Sequence, residues 1–233
     1  MTNEPDVIIL AGEPPLDVIC KRSTRAKRLS IRVSRLDGAI TLTLPARATR
    51  RIALAFLKER TEWLRNAVEG LEEPVIVKAG ATIPVEGQLM ALTAAAIRAP
   101  RIEDGRLLVP QTRVAAGTQA FLKLRARDRL AERVAAHARA LGRPAGKLTL
   151  RDTRSRWGSC THTGDLMFSW RLIMAPPQIL DYVAAHEVAH LAQMNHSPAF
   201  WSEVAKLFPT HLEARRWLKA NGAGLHRYRF SDA

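Results

Sequence analysis

Cysteine is scarce in this chain. Only Cys20 and Cys160 occur among 233 residues, too few for the disulfide framework of a small secreted domain. No uninterrupted apolar run approaches the ~20 residues that a membrane-spanning helix needs, so no membrane partner is expected. Met1–Leu10 lacks a basic stretch followed by a long apolar one, and no secretory leader is expected. Low-complexity segments are missing too, and 47% hydrophobic with 25% charged residues argues against wholesale disorder. These absences leave a folded chain, expected in a reducing cytoplasm, long enough to bury a core as one domain or two small ones.

Acidic residues are also in short supply: 22 Asp and Glu stand against 36 Lys and Arg, a formal charge of +14. That surplus favours polyanionic neighbours, nucleic acid among them, although a solvated basic face is the plainer reading. Lys21, Arg22, Arg25, Lys27, Arg28, Arg32 and Arg35 fall on or beside one expected hairpin, followed by Arg47, Arg50 and Arg51. Nucleic-acid association through this basic N-terminal half would be sequence-independent and salt-sensitive. Aromatic interleaving, the usual stacking platform for single strands, is absent there.

What is present reads as α+β, with a β-rich N-terminal half and a helical C-terminal half. Val7–Leu10 and Leu16–Cys20 are short apolar runs. Leu29, Ile31 and Val33, then Ile40, Leu42 and Leu44, alternate with polar residues around a turn at Asp37–Gly38. Thr49 can cap a helix carrying Ile52, Phe56, Trp63, Leu64, Ala67 and Val68, expected to end near Gly70. Short β runs follow from Val75 to Val109. From Thr118 a long helix carries Phe121, Leu124, Leu130, Val134, Ala138 and Leu141, with Gly142 as its C-cap. Leu148–Leu150, Arg156–Cys160 and Asp165–Arg171 read as a brief β region. Pro176–Pro177 opens a helix to about Met194, Ser197–Pro198 opens another, and Thr210 with Glu213 forms a capping-box pattern for the last. The expected division is residues 1–112, β-rich and basic with one helix, and residues 113–233.

Three of the seven histidines crowd together: His186, His190 and His196. His186-Glu187-Val188-Ala189-His190 matches H-E-x-x-H. Residues four apart lie one turn along a helix on nearly the same face, so both imidazoles can share one tetrahedral zinc. Glu187 is then placed to take a proton from a zinc-activated water as it attacks a carbonyl. A third ligand six residues past His190 requires a chain break, and Asn195, tolerant of left-handed backbone, is the expected place. His196 is the best candidate, with Glu203 and Glu213 competing and Cys160 more distant. Arg154, Arg156 or His162 are candidates for stabilising the oxyanion. Tyr182, one turn before His186, can approach the site or simply pack. Asp152 or Asp181 can orient a ligand imidazole. Asp165–Arg171 is a candidate edge strand for an extended peptide, and Trp157, Trp170, Phe200 and Trp201 are expected around the metal helix.

The run Arg151-Asp-Thr-Arg-Ser-Arg-Trp-Gly-Ser-Cys160, then Trp170-Arg-Leu, Ala175-Pro-Pro, Asp181-Tyr-Val and Asn195-His-Ser-Pro-Ala-Phe-Trp201, resembles the YgjP-like metallopeptidase domain family. That group of zinc peptidases is related to the SprT and WLM metallopeptidases. The basic strand-turn-strand around Arg25–Leu44 is similar to the family as well. The resemblance implies a zincin-like metallopeptidase domain, a single zinc bound by His186, His190 and His196, Glu187 as catalytic residue, and a peptide or protein substrate. Kinship with peptidases that cut DNA-crosslinked proteins suggests a DNA-associated role by analogy alone. Gln193–Asn195 stands where zinc peptidases with this spacing often have Gly. Two rivals use the same residues: a nucleic-acid-binding protein with a structural zinc, and a zinc hydrolase acting on a non-peptide amide.

Overall fold

The computed structural model describes residues 6–34, 38–69 and 73–230. The chain is α+β and forms two compact units, residues 1–73 and 74–233. In the first unit, strands β1 (Asp6–Leu10), β2 (Leu16–Ser23), β3 (Ser30–Val33) and β4 (Ile40–Pro45) make a sheet of order β1-β2-β4-β3. β2 and β4 run parallel; the outer pairs are antiparallel. Period-two alternation sends Ile8, Leu10, Leu16, Val18, Cys20, Ile40, Leu42 and Leu44 into one core. Gly38 has φ +70°, a left-handed conformation suited to a turn, while Asp37 and Arg35 lie outside the described residues.

The helical stretch expected to run unbroken to Gly70 is two helices, α1 (Arg50–Lys58) and α2 (Thr61–Glu69); Gly70 itself lies outside the described residues. Thr49 Oγ1 accepts from Ile52 N–H at 3.4 Å, as the cap residue predicts. The break at Glu59–Arg60 lets Ala53 and Leu57 on α1 and Leu64 on α2 all enter the core. Ile52 and Trp63, counted as core from spacing, are exposed.

The second unit opens with β5 (Val75–Ile76), followed by β6 (Thr82–Val85), β7 (Gln88–Ala95), β8 (Arg101–Glu103) and β9 (Arg106–Pro110). β6 to β9 form a sheet of order β6-β7-β9-β8. Its two antiparallel pairs turn on Glu86–Gly87 and Asp104–Gly105, all four residues at positive φ. Helix α3 (Val114–Leu141) buries Ala115, Leu122, Ala126, Leu130, Val134 and Ala138 at helical spacing and ends at Gly142, φ +70°. Leu124, expected on that face, is exposed; Leu122 takes its place. One apolar core joins this sheet, α3 and everything C-terminal to them. The division expected at 112/113 therefore falls inside the second unit.

Next come β10 (Leu148–Arg151), β11 (Gly158–Cys160) and β12 (Leu166–Ser169), in the order β10-β12-β11. The candidate edge strand, β12, is thus central, with β10 and β11 at the two edges. A fully buried 3-10 turn, Trp170–Met174, leads into α4 (Pro177–Ala189), with proline at its first position. α4 stops at Ala189 rather than Met194. Helices α5 (Pro198–Leu207) and α6 (His211–Asn221) follow, and β13 (Tyr228–Arg229) pairs in parallel with β5. Ser197 Oγ caps α5 by accepting from Phe200 N–H. The expected capping box at α6 is not made, since the Thr210 side chain accepts no capping bond.

Candidate metal centre

α4 is apolar almost all round. Ala184, Ala185, Val188 and Ala189 are fully buried, and these small side chains let β11, α5 and α6 pack closely. The last turn of this helix carries His186 and Glu187, and His190 is the residue at its C-cap. The chain then tightens through Leu191 N–H to Val188 O and Ala192 N–H to Ala189 O bonds. That reversal returns His196 to the helix. Asn195 assists through its side chain, Oδ1 accepting from Ser197 N–H at 3.2 Å; the backbone there is not left-handed.

The result brings the three histidines together. One nitrogen from each of His186, His190 and His196 lies within 4.8 Å of the others, so the group can hold a metal ion. The Nε2 atoms of His186 and His196 stand 3.2 Å apart. Two imidazole nitrogens each ~2.0–2.1 Å from a tetrahedral ion would be about 3.3 Å apart, so the residues fit a zinc ion. His190 Nδ1 lies 3.0 Å from Gln193 O, and a carbonyl only accepts. The proton therefore sits on Nδ1, leaving the Nε2 lone pair free for a metal.

Aromatic rings set the field. Phe200 stacks on His190 at 4.4 Å between centroids and meets His186 and His196 edge-on at 5.0 and 4.8 Å. Trp201 flanks the same pair of rings. Burial, reinforced by His190, His196 and Arg215, pulls the His186 pKa down to about 3, and burial lowers His190 as well. Both imidazoles stay neutral at pH 7, the state that binds metal. Glu187, only 6% exposed, is pushed up to about 8 by burial, with Arg156 opposing. A cleft of about 240 Å³ opens here, lined by Gly158, Ser159, Cys160, His186, Glu187, His190, Met194 and His196. Burial, then the charges of Glu187 and Asp165, push the Cys160 thiol up to about 11, so it stays protonated.

The other residues singled out from sequence divide. Arg156 is exposed, yet its charge acts on Glu187. His162 lies in the exposed Thr161–Gly164 turn, outside the cleft lining. Tyr182 is buried behind the site, its ring 6.0 Å from those of His186 and Phe208. Neither aspartate reaches the triad: Asp152 pairs with Arg171 and Asp181 with His137. Glu203 pairs with Lys206, and Glu213 is exposed on the first turn of α6. The group that orients His190 is the Gln193 carbonyl, which no residue pattern advertises. A larger cleft of about 750 Å³ lies away from the histidines, and its Arg125, Arg129 and Arg133 are already paired with Glu86, Glu132 and Asp181. In the first unit Arg22 and Arg50 are engaged with Ala46 and Ala48 carbonyls and with Asp6.

No helix is long and apolar enough to cross a membrane among the described residues. No curated protein matches the chain. One solved structure similar to it is the metallopeptidase zymogen abylysin of Pyrococcus abyssi, 24% identical. The match covers 39% of this chain and 93% of that one, with a TM-score of 0.36. The family model of the YgjP-like metallopeptidase domain matches residues 27–221, across both units and the whole histidine cluster. The chain belongs to the YgjP-like metallopeptidase domain family.

Proposed function

We propose that this metallopeptidase is zinc-dependent, with a zincin-like domain in which His186, His190 and His196 hold one ion and Glu187 is the catalytic acid–base. One observation carries the reading: three imidazole nitrogens converge within 4.8 Å of one another beside a buried carboxyl. When bound, zinc supplies Lewis acidity, polarising the scissile carbonyl and lowering the pKa of water towards ~7. Glu187 takes a proton from the attacking water and hands it to the leaving amine, the two transfers open to a carboxyl placed beside the ion. Arg156, whose charge is felt at Glu187, is our candidate for the oxyanion donor. Tyr182 supports the His186 ring from behind.

The substrate is a peptide or protein segment. β11 is an edge strand lining the cleft, so an extended peptide can add to it, its backbone groups pairing with those of Gly158–Cys160. Met194, exposed on the cleft wall, offers an apolar contact to a substrate side chain. The exposed arginines of the first unit are the feature a nucleic-acid-binding reading would use, and it leaves the buried Glu187 without a task.

Elemental analysis after dialysis is the test. A single zinc per chain is expected, lost from folded His190→Ala and His196→Ala. Glu187→Gln should keep the zinc and lose peptide hydrolysis by on the order of 10²–10⁴-fold. Folded wild type that takes up no zinc when supplied with it would overturn the reading.

A further inference from the structure

Glycine weakens a strand, and its presence inside one often marks the close approach of another group. Gly158 opens β11, and its φ is not in the left-handed region, so its own backbone does not call for glycine. The requirement comes from α4. A Cβ built on Gly158 would stand 2.5 Å from Glu187 Cγ, 2.6 Å from Oε1 and 2.7 Å from Cδ. Carbon atoms in ordinary contact sit about 3.5–4.0 Å apart. The space that a side chain would fill is occupied by the Glu187 carboxyl.

We propose that Gly158 is a positioning residue: by having no side chain, it sets where the Glu187 carboxyl stands beside the three histidines. This rests on Glu187 being the acid–base of the reaction. The strand side of the contact is anchored. Gly158 pairs with Phe168 on β12, and Ser169 N–H donates to Trp157 O at 2.8 Å. The Trp157 indole is itself packed against Gly222, where an added Cβ would meet it at 3.0 Å. Glu187 is held less firmly. Among the described residues its carboxyl accepts no protein hydrogen bond, and the charge that acts on it is that of exposed Arg156. A methyl at position 158 therefore displaces the carboxyl, by about 1 Å if contact distances are to be restored. Misplacement of that size costs about 100-fold in rate.

The test is a double-mutant cycle with Gly158→Ala, Glu187→Ala and both together. Urea unfolding of the metal-free proteins reads the packing. Gly158→Ala should lower the unfolding midpoint in the wild-type background, and that loss should largely vanish when Glu187→Ala removes the atoms it strikes. With zinc loaded, Gly158→Ala should keep wild-type zinc content and KM for a peptide while kcat falls about 100-fold. An equal midpoint loss in both backgrounds overturns the proposal, because the strain then belongs to β11. A wild-type kcat in Gly158→Ala overturns it as well. If Gly158→Ala does not fold, recovery of folding in the double variant supports the proposal, and failure to recover overturns it. If zinc-loaded wild type cuts no peptide, the functional reading fails, and the unfolding cycle still decides the packing.

Discussion

Arg171 is 7% exposed and holds four acceptors at once. Its guanidinium donates to Asp152 Oδ1 and Oδ2 at 2.6 and 3.1 Å, and to the Leu225 and Tyr228 carbonyls at 3.0 and 3.1 Å. It thereby ties the start of the 3-10 turn after β12 to the C-terminal segment, whose His226 packs on Trp157. Replacing Arg171 with Met keeps most of the apolar stem but removes the charged donor to two buried carbonyls, at about 1–3 kcal/mol each. Asp152 is 43% exposed at its side chain and regains water, so its share is discounted. The total expected is about 3–4 kcal/mol, towards the lower end of what breaking a buried ion pair costs. Arg171→Lys should recover only part of this, because an ammonium cannot span both acceptor pairs. Urea unfolding followed by tryptophan fluorescence gives the stability, and amide exchange in β13 shows where the fold opens. A loss below about 1 kcal/mol, or unchanged protection of β13, would refute the assignment of Arg171 as the tie.

Three further outcomes are expected. Burial, then the charge of Arg171, pulls the His226 pKa down to about 4 from an ordinary 6.5. The neutral form is the one the fold keeps, so its contribution is whole above pH 6.5 and is lost as pH falls towards 4. The stability drop between pH 7 and pH 5 should accordingly be smaller in His226→Gln than in wild type, and an equal drop would contradict this. Phe200→Ala removes a fully buried ring packed on all three histidines. It should cost about 3–5 kcal/mol in urea unfolding and weaken zinc retention on dialysis; normal zinc retention would show that the ring does not hold the imidazoles in place. Zinc should raise the unfolding midpoint of wild type, by about 2.7 kcal/mol of stability at a hundredfold excess over Kd, and should not do so for His196→Ala.

The sequence was informative wherever a feature is written in local chemistry. Alternation gave the strands of the first sheet their face, Thr49 and Ser197 announced helix starts, and Gly142 announced a helix end. The histidine group was legible for the same reason, since H-E-x-x-H fixes two imidazoles on one face and a short turn can return a third. Expectations that depended on neighbours fared otherwise. The chain breaks at Glu59–Arg60 because core space, not propensity, decides which residues of α1 and α2 are buried. Thr210 has the residue type of a cap without the bond, and Asn195 turns the chain by its side chain instead of a left-handed backbone. Strand order is a long-range property, so nothing local distinguished central β12 from edge β11.

By itself, then, the sequence determined the α+β class, the family and the chemical identity of the histidine cluster, because side-chain type and spacing along a helix are properties of a short segment. Tertiary structure alone decided which strand borders the cleft, that a backbone carbonyl at Gln193 orients His190, and that Glu187 lies against Gly158. Those are contacts between segments brought together only when the apolar faces of α4, α5 and the small sheet are buried, and their distances have no counterpart in residue order.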